Sequence, residues 1–251
     1  MAFGDHPVIA VIPARLASKR FPGKVLASET GKPLIQHVYE AASGATTPDR
    51  VIIATESDEV AQAVRGFGAE AILTRDDHPN GASRIAETCD IIDAPDDAII
   101  LNVQGDEPEM DAGAIDAAVE AMANSEAPMA TIASPFGPDE QPADPNLVKV
   151  VLNVRGEAIY FSRALIPHDR DGQGVVAPLK HVGLYAYRRP FLQTYVELAP
   201  TPLEQSEMLE QLRVIENGYS IAVAVRPCAS KGIDTPEQYA AFVARWRKAN
   251  A

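Results

Sequence analysis

Residues 11–26 read VIPARLASKRFPGKVL and place four basic side chains within ten positions, with no acidic residue among them: Arg15, Lys19, Arg20 and Lys24. The whole chain has the opposite bias, because 22 Lys and Arg stand against 35 Asp and Glu, a net charge of −13. A basic cluster in so acidic a protein indicates a local anion site, since arginine and lysine are the side chains that bind phosphate oxygens. The alternative is a solvated basic loop without a ligand.

The cluster directly follows VIAVI (8–12), an apolar run typical of a buried strand. Ligands of α/β proteins bind at the carboxyl ends of strands, where backbone N–H groups and helix N-termini suit phosphate. A P-loop anchored on Gly23 and Lys24 would need Gly at position 18 and Ser or Thr at position 25, where this chain has Ser18 and Val25. The Rossmann glycine triplet is absent too. We therefore expect a polyphosphate-binding loop that uses side-chain cations as well as backbone groups.

Short apolar runs alternate with helical patterns through the first hundred residues. The pattern predicts strands at 8–12, 50–55, 69–73 and 98–103, and helices at 33–43, 58–68 and 83–92. These strands are uniformly apolar, which is typical of parallel strands covered by helices on both faces. The first part of the chain is therefore predicted to be a doubly wound α/β unit.

The rest of the chain is expected to extend this unit rather than to form a second domain. Strands are predicted at 129–136, 147–153 and 181–187, with a polar loop at 167–178. We interpret about 129–190 as a small mixed-sheet lobe of a single domain, 1–251. The last quarter is predicted to contain a helix over 201–218, a strand over 220–225 and a final helix, and Thr201 with Glu204 forms a capping box.

Composition excludes several classes of function. The chain has 251 residues, 46% of them apolar and 23% charged, as in ordinary globular proteins. A net charge of −13 argues against nucleic-acid binding and against an electrostatic membrane-surface role. Cys89 and Cys228 follow no metal spacing and are expected to be buried thiols in a reducing compartment. With neither a signal pattern nor a long apolar run, we expect a cytoplasmic protein.

Six motifs in order point to one family. IPARLASKRFPGK is similar to the signature of sugar-acid cytidylyltransferases, and five more motifs follow: LNVQGDEP (101–108), YFSRALIPHDRD (160–171), KHVGLYAYR (180–188), EMLEQLRVIENG (207–218) and GIDTPEQ (232–238). Together they resemble the 3-deoxy-manno-octulosonate cytidylyltransferase (CMP-Kdo synthetase) family over nearly the whole chain. The resemblance implies a Rossmann-like nucleotidyltransferase sheet with a dimerisation lobe, a homodimer, and a host that makes Kdo-containing lipopolysaccharide.

The activity that the resemblance implies is the reaction of CTP with 3-deoxy-D-manno-octulosonate (Kdo) to give CMP-Kdo and diphosphate. The anomeric oxygen of the sugar acid would attack the α-phosphorus in line, with Mg²⁺ as cofactor. Such transfers are catalysed mainly by positioning and by neutralising charge, so no covalent nucleophile is needed.

Candidate residues for the phosphates and the metal are few. Arg15, Arg20 and Lys24 are expected on the β- and γ-phosphates, with Lys19 as a weaker fourth. Mg²⁺ prefers carboxylates together with phosphate oxygens, and two aspartates fit. Asp106 follows the strand 98–103, where a solvated acidic turn is the alternative. Asp234 precedes the final helix, where a helix cap is the alternative, although Thr235, Pro236 and Gln238 already fit the capping positions.

The remaining site residues follow from the resemblance. Arg15, Lys24, Asp106 and Asp234 are the catalytic candidates. The nucleotide is expected to contact the basic residues Arg15, Arg20 and Lys24. It is also expected to contact Ala14, Asn80, Ser83 and Arg84. The sugar acid is expected to contact Gln104, Arg163, His181, Tyr185, Glu210 and Gln211. The alternative for each of these residues is a role without a ligand, as a core, surface or ion-paired side chain.

Two departures from the family pattern leave other substrates open. Gly81-Ala82-Ser83-Arg84 stands where the family usually has Gly-Thr-Glu-Arg, and His168 stands where tryptophan is common. The alternatives are the same chemistry on 8-amino-Kdo or a nonulosonate, and a non-catalytic nucleotide-sugar sensor. A glycosyltransferase would favour Asp-x-Asp, where this chain has Gly105-Asp106-Glu107.

Overall fold

The computed structural model describes residues 6–18 and 20–250. The strands in this part of the chain are β1 (Val8–Pro13), β2 (Arg50–Thr55), β3 (Glu70–Leu73), β4 (Ile99–Asn102), β5 (Met129–Pro135), β6 (Lys149–Leu152), β7 (Ala158–Ser162), β8 (Leu179–Arg188) and β9 (Ile221–Val225). The helices are α1 (Leu34–Ser43), α2 (Asp58–Gly66), α3 (Gly81–Ile91), α4 (Ala112–Ala123), α5 (Arg189–Glu197), α6 (Pro202–Glu207), α7 (Leu212–Glu216) and α8 (Pro236–Ala249). A short 3₁₀ helix, Lys24–Leu26, precedes α1.

The strands form one sheet in the order β3-β2-β1-β4-β8-β5-β9. The first four strands of this order are parallel to one another. The long strand β8 is antiparallel to both β4 and β5, while β9 is parallel to β5. The short hairpin of β6 and β7 is attached to β8 through β6. The predicted strands at 129–136 and 181–187 therefore lie within the central sheet, and the small extension is the hairpin β6–β7.

Helices cover both faces of the sheet, as the apolar strands predict. Alternate residues of β1 enter different cores: Ala10 and Ile12 pack with α1, α2 and α4, whereas Ile9 and Val11 pack with α3, α5 and α7. A strand that is buried on both faces needs apolar side chains at every position, which explains its sequence. The doubly wound α/β prediction is confirmed. No helix among the described residues is long and apolar enough to cross a bilayer.

The single helix predicted over 201–218 is wrong in its middle. The chain forms α6 and α7 instead, because Met208 adopts a left-handed conformation with φ 53° and ψ 49°. Tertiary contacts fix this break, since the Glu207 carboxylate accepts hydrogen bonds from Ser162 Oγ (2.6 Å) and the Arg163 backbone N–H (2.9 Å). The segment 208–211 leaves the helical path and presents its side chains to a cleft described below.

A buried ion pair holds α6 against α7. Arg213 Nε donates to Glu204 Oε2 at 2.8 Å, and both side chains are only 9% exposed. The Arg213 guanidinium also lies 5.5 Å from the centre of the Tyr195 ring in α5. A buried charge that loses its partner is strongly destabilising, because the remaining ion is neither solvated nor neutralised.

We predict that Arg213→Leu lowers the free energy of unfolding by about 3–5 kcal/mol, since Glu204 is left charged and buried. Arg245→Leu is the matched control, because Arg245 pairs with Glu109 at the surface, where such pairs contribute about 1 kcal/mol or less. Urea unfolding followed by circular dichroism measures both. Equal losses in the two variants would contradict the assignment of the buried pair.

Candidate active site

The carboxyl ends of the parallel strands β1, β2 and β4 meet at one edge of the sheet, and the candidate site begins there. The Ala14 backbone N–H donates to Ala54 O at 2.8 Å, which fixes the chain as it leaves β1. A Cβ at Gly105 would lie 2.4 Å from Pro13 O. Only glycine therefore allows the loops after β1 and β4 to approach this closely.

Glu56 holds the basic loop against this edge. Its Oε1 accepts a hydrogen bond from the Leu16 backbone N–H at 3.0 Å, and its Oε2 lies 2.9 Å from Arg84 Nη2. The loop closes on itself where the Gly23 N–H donates to Leu16 O at 3.1 Å. Glu56 is a site residue that the sequence patterns did not indicate. The signal that could have identified it is its position, directly after a buried strand at the ligand-binding edge.

Lys24 joins three distant segments through one ammonium group. Its Nζ donates to Asp106 Oδ2 at 2.7 Å and to Ile233 O at 2.8 Å, and it lies 3.4 Å from Asp234 Oδ1. Lys24 is 9% exposed, whereas both carboxylates are more open to solvent. The structure therefore brings together three of the four catalytic candidates, Lys24, Asp106 and Asp234.

Two arginines beside this cluster add positive charge. Arg20 Nη2 lies 2.9 Å from Asp234 Oδ1, and its side chain is largely exposed. Arg15 Nη2 donates to His78 O at 2.6 Å. Lys19 lies outside the described residues. We call the cavity lined by Arg15, Ser18, Lys24, Gly81, Gln104 and Asp106 the basic cleft. Its charge is suited to an anion such as a polyphosphate.

The predicted nucleotide residues around α3 have mainly supporting contacts. Asn80 caps α3, since its Oδ1 accepts from the Ser83 backbone N–H at 3.0 Å. Arg84 is fully buried and pairs with Glu56. Because Glu56 also accepts the Leu16 backbone N–H, Arg84 positions the basic loop through Glu56. Ala14 is 1% exposed. Direct contact of Ala14, Asn80, Ser83 and Arg84 with a nucleotide remains a prediction. Gly81, at the first turn of α3, is the residue of this region that lines the basic cleft.

The six predicted sugar residues are distributed over clefts that adjoin the basic cleft. Tyr185, Glu210 and Gln211 line a second cavity, which we call the tyrosine cleft because Tyr187 and Tyr195 also line it. Gln104 lines both the basic and the tyrosine cleft. The others line a third cavity, the wide cleft, which is bounded by Arg20, Arg163, Lys180, His181 and Asp234.

Arg163 is already engaged by the backbone. Its Nε donates to Glu207 O at 2.7 Å, and its Nη1 donates to Pro145 O at 3.0 Å. These bonds attach the end of α6 to the loop before β6. In this conformation Arg163 stabilises the wall of the wide cleft, and its contact with a sugar acid remains a prediction.

Neutral hydrogen-bonding groups separate the wide cleft from the tyrosine cleft. His181 Nε2 lies 3.0 Å from Thr131 Oγ1, and its ring centre lies 5.0 Å from that of Phe161 and 5.5 Å from that of Tyr185. Burial lowers the pKa of His181 to about 3. It also raises the pKa of Tyr185 well above its ordinary value. Both side chains are therefore uncharged near pH 7 and suit hydroxyl groups better than ions.

Glu107 adds less negative charge to the wide cleft than its sequence suggests. Burial raises its pKa to about 7, and its Oε2 accepts a hydrogen bond from Ser230 Oγ at 2.6 Å. Because the carboxyl is partly protonated near neutral pH, its repulsion of an anion beside Asp106 is reduced.

Comparisons with known proteins agree on one family. The family model described as cytidylyltransferase matches residues 9–221. The chain is 48% identical to a 3-deoxy-manno-octulosonate cytidylyltransferase of Syntrophobacter fumaroxidans, over 94% of this chain and 95% of that protein. It is 49% identical to a protein of the same name from Herminiimonas arsenicoxydans, over 90% of this chain and 94% of that protein.

Solved structures extend this likeness to the fold. CMP:2-keto-3-deoxy-manno-octonic acid synthetase, solved in complex with CTP, superposes with a TM-score of 0.90 at 40% identity, over 97% of this chain and 99% of that chain. A glucose-1-phosphate thymidylyltransferase from Bacillus anthracis, described as putative and solved with sucrose, has a TM-score of 0.66 at 16% identity, over 96% of this chain and 95% of that chain. At that identity the second likeness concerns the fold alone.

The neutral state of His181 predicts a pH dependence of stability. Its pKa is about 3 in the folded protein and about 6.5 in an unfolded chain. Between these values the unfolded state binds a proton that the folded state does not, so stability falls as the pH drops below 6.5. The loss approaches about 1.4 kcal/mol per pH unit.

We therefore expect the wild-type protein to lose about 2 kcal/mol more unfolding free energy than His181→Asn between pH 6.5 and pH 5. Urea titrations of both proteins at the two pH values measure the difference, and the other titrating groups cancel in the comparison. Parallel pH profiles would show that His181 is protonated in the folded state.

Proposed function

Because this chain belongs to the 3-deoxy-manno-octulosonate cytidylyltransferase family, we propose that it transfers CMP from CTP to Kdo, giving CMP-Kdo and diphosphate. The observation that carries the proposal is the convergence of Lys24, Asp106 and Asp234 at the basic cleft, which Arg15 also lines. Identity of 48% over 94% of the chain to a relative of that name supports the same substrates.

The reaction needs cations around the triphosphate. Arg15, Arg20 and Lys24 would contact the β- and γ-phosphates, with arginine gripping two oxygens and lysine acting as a point charge. The anomeric hydroxyl oxygen of Kdo forms a bond to the α-phosphorus and its proton passes to water, while the bond from that phosphorus to the bridging oxygen breaks. The leaving diphosphate carries the new charge, so the same cations that bind CTP also stabilise the departure.

Asp106 and Asp234 fit a divalent cation. Both carboxylates lie within 3.4 Å of Lys24 Nζ, so the two side chains are neighbours at the edge of the basic cleft. One or two carboxylates together with substrate phosphate oxygens and water are the ligands that Mg²⁺ takes in nucleotide sites. We propose that these two aspartates hold Mg²⁺. When bound, the ion would neutralise triphosphate charge and polarise the α-phosphate.

The tyrosine and wide clefts are proposed to hold the sugar acid. Both adjoin the basic cleft, the first through Gln104 and the second through the Lys24 partner Asp234. The neutral His181 and Tyr185 suit hydroxyl groups. The carboxylate would bind at Arg163 or at Lys180 in the wide cleft, where Lys180 also pairs with Glu140. Gln104, Glu210 and Gln211 would complete the polar lining.

Exposed apolar side chains around the hairpin support a homodimer. Val154, Ile159, Val175 and Val176 are 105%, 54%, 82% and 61% exposed. We propose that this surface, in the single domain 1–251, pairs with a second copy of the chain. We also propose that the enzyme acts in the cytoplasm, on the CTP pool there, to supply Kdo for lipopolysaccharide.

The dimer predicts a molar mass in solution of twice the 26.9 kDa of one chain. The double variant Ile159→Glu/Val176→Glu should give the mass of a monomer, because like charges would meet across the apolar contact. Size-exclusion chromatography with light scattering measures both masses. A wild-type monomer, or a double variant that stays dimeric, would contradict this surface assignment.

The activity itself is tested by diphosphate release with CTP and Mg²⁺, with Kdo, 8-amino-Kdo and a sialic acid in parallel. We expect release with Kdo and far less with the other two acids. Release with another acid alone would retain the chemistry and overturn the substrate. No release with any acid, from folded protein that binds CTP, would favour a nucleotide-sugar sensor.

Arg15→Ala tests the cationic part of the mechanism. We expect kcat/KM for CTP to fall at least about tenfold, because a charged hydrogen bond to phosphate contributes roughly 1.5–3 kcal/mol. Lys32→Ala is the control, since Lys32 pairs with Glu40 at the surface of α1. Steady-state kinetics compare the two. An Arg15→Ala enzyme as active as Lys32→Ala would remove Arg15 from the site.

A further inference from the structure

Two buried amide side chains beside the basic cleft each have one atom without a partner. Asn102 is 4% exposed; its side chain bonds to the Tyr187 hydroxyl, and its Oδ1 has no hydrogen-bond partner among the residues that the structure describes. Gln211 is also 4% exposed, and its Nε2 is likewise unpaired within residues 6–18 and 20–250. An unpaired buried polar atom destabilises the folded protein, because it has lost its hydrogen bonds to water and has gained none within the protein. Such atoms are explained by a bound water or by a ligand.

Both side chains belong to the tyrosine cleft. Asn102 ends β4, and alternation along this strand puts it on the same sheet face as Ile100, which packs in the core beneath α3. Its neighbour across the sheet is Tyr185 of β8. Gln211 directly precedes α7. It lies in the short segment after α6, where the left-handed conformation of Met208 ends the helix. Asn102 and Gln211 therefore approach the same cavity from the sheet and from the chain above it.

The chemistry of the two atoms is complementary to one ligand group. Asn102 Oδ1 is an acceptor and Gln211 Nε2 is a donor. A hydroxyl donates one hydrogen bond and accepts others, so a single hydroxyl between the amides would satisfy both. An anion would suit the cleft poorly, because its lining contains Glu210 and, within the described residues, neither lysine nor arginine.

We propose that Asn102 is a specificity-determining residue that, together with Gln211, binds one hydroxyl group of the sugar acid. The inference rests on the proposed function, since the tyrosine cleft adjoins the basic cleft at Gly81 and Gln104. The carboxylate of the acid then lies elsewhere, toward the cations of the wide cleft. A substrate that lacks the bridged hydroxyl leaves two buried amide groups unpaired, and such a site discriminates strongly against it.

The test is Asn102→Leu, which replaces the amide with an apolar group of similar size. Asn102→Leu also removes the bond to the buried Tyr187 hydroxyl, so stability is measured in the double variant Asn102→Leu/Tyr187→Phe, which removes both partners. If Asn102 Oδ1 is unpaired before a ligand binds, this double variant should keep or raise the melting temperature of the substrate-free protein. The kinetic constants are measured in Asn102→Leu. Its KM for Kdo should rise about tenfold, with its KM for CTP within about twofold of the wild-type value. A structural amide, bonded to a trapped water, would instead lower the melting temperature and leave the KM for Kdo unchanged.

Asn153→Leu is the matched control. The Asn153 amide donates to Glu157 Oε2 at 2.8 Å in the β6–β7 turn and lines none of the three clefts. This variant should lose melting temperature and keep both KM values. Deoxygenated analogues of Kdo identify the hydroxyl, because the wild type should be impaired with one analogue and Asn102→Leu should not be impaired further.

The outcomes separate the inference from the proposed function. Wild-type turnover of Kdo with an unaltered KM in Asn102→Leu would overturn the inference and leave the proposed function intact. If the wild type turns over only another sugar acid, the KM for that acid is compared between wild type and Asn102→Leu. An unaltered KM would then overturn the inference. Failure of the wild type with every acid would overturn both.

Discussion

The ammonium group of Lys24 is the contact on which the site depends. It lies at the end of the basic loop and bonds to Asp106 after β4 and to Ile233 before α8, so segments far apart in the chain meet on one nitrogen. Asp106 and Asp234 would repel each other without it. In a chain of net charge −13, this buried cation allows two carboxylates to remain together beside the proposed triphosphate site.

The fold supplies rigid supports for that contact at the carboxyl edge of the sheet. Gly105 permits the loops after β1 and β4 to touch, and Glu56 ties the basic loop to the buried Arg84. The tyrosine cleft differs, because Asn102 Oδ1 and Gln211 Nε2 have no partner there among the described residues. We infer that the charged groups of the proposed phosphate region are paired with one another before substrate binds. The two unpaired polar atoms of the proposed sugar region, in contrast, find their hydrogen-bond partners only in the ligand.

Sequence patterns predicted the features that depend on neighbouring residues in the chain. Uniformly apolar runs identified the parallel strands. Charge and position selected the basic loop, Asp106 and Asp234, which the structure places next to one another. The patterns did not reveal β7, α4 or α5, and they joined α6 to α7. That break depends on Glu207, which is held by Ser162 from a distant strand, a contact that periodicity does not encode. Likewise, Arg84 was expected at the nucleotide, but its buried pairing with Glu56 follows only from the packed structure.

The central claim is that Lys24 organises the triphosphate site, and CTP affinity tests it most directly. Calorimetry compares wild type, Lys24→Ala and Lys32→Ala with Mg²⁺ and without sugar acid, after circular dichroism has shown all three to be folded. The account predicts a loss of affinity of at least about tenfold in Lys24→Ala, because a charged contact is removed and two carboxylates are left unpaired. Lys32→Ala should match wild type. Unchanged CTP affinity in folded Lys24→Ala would contradict the account.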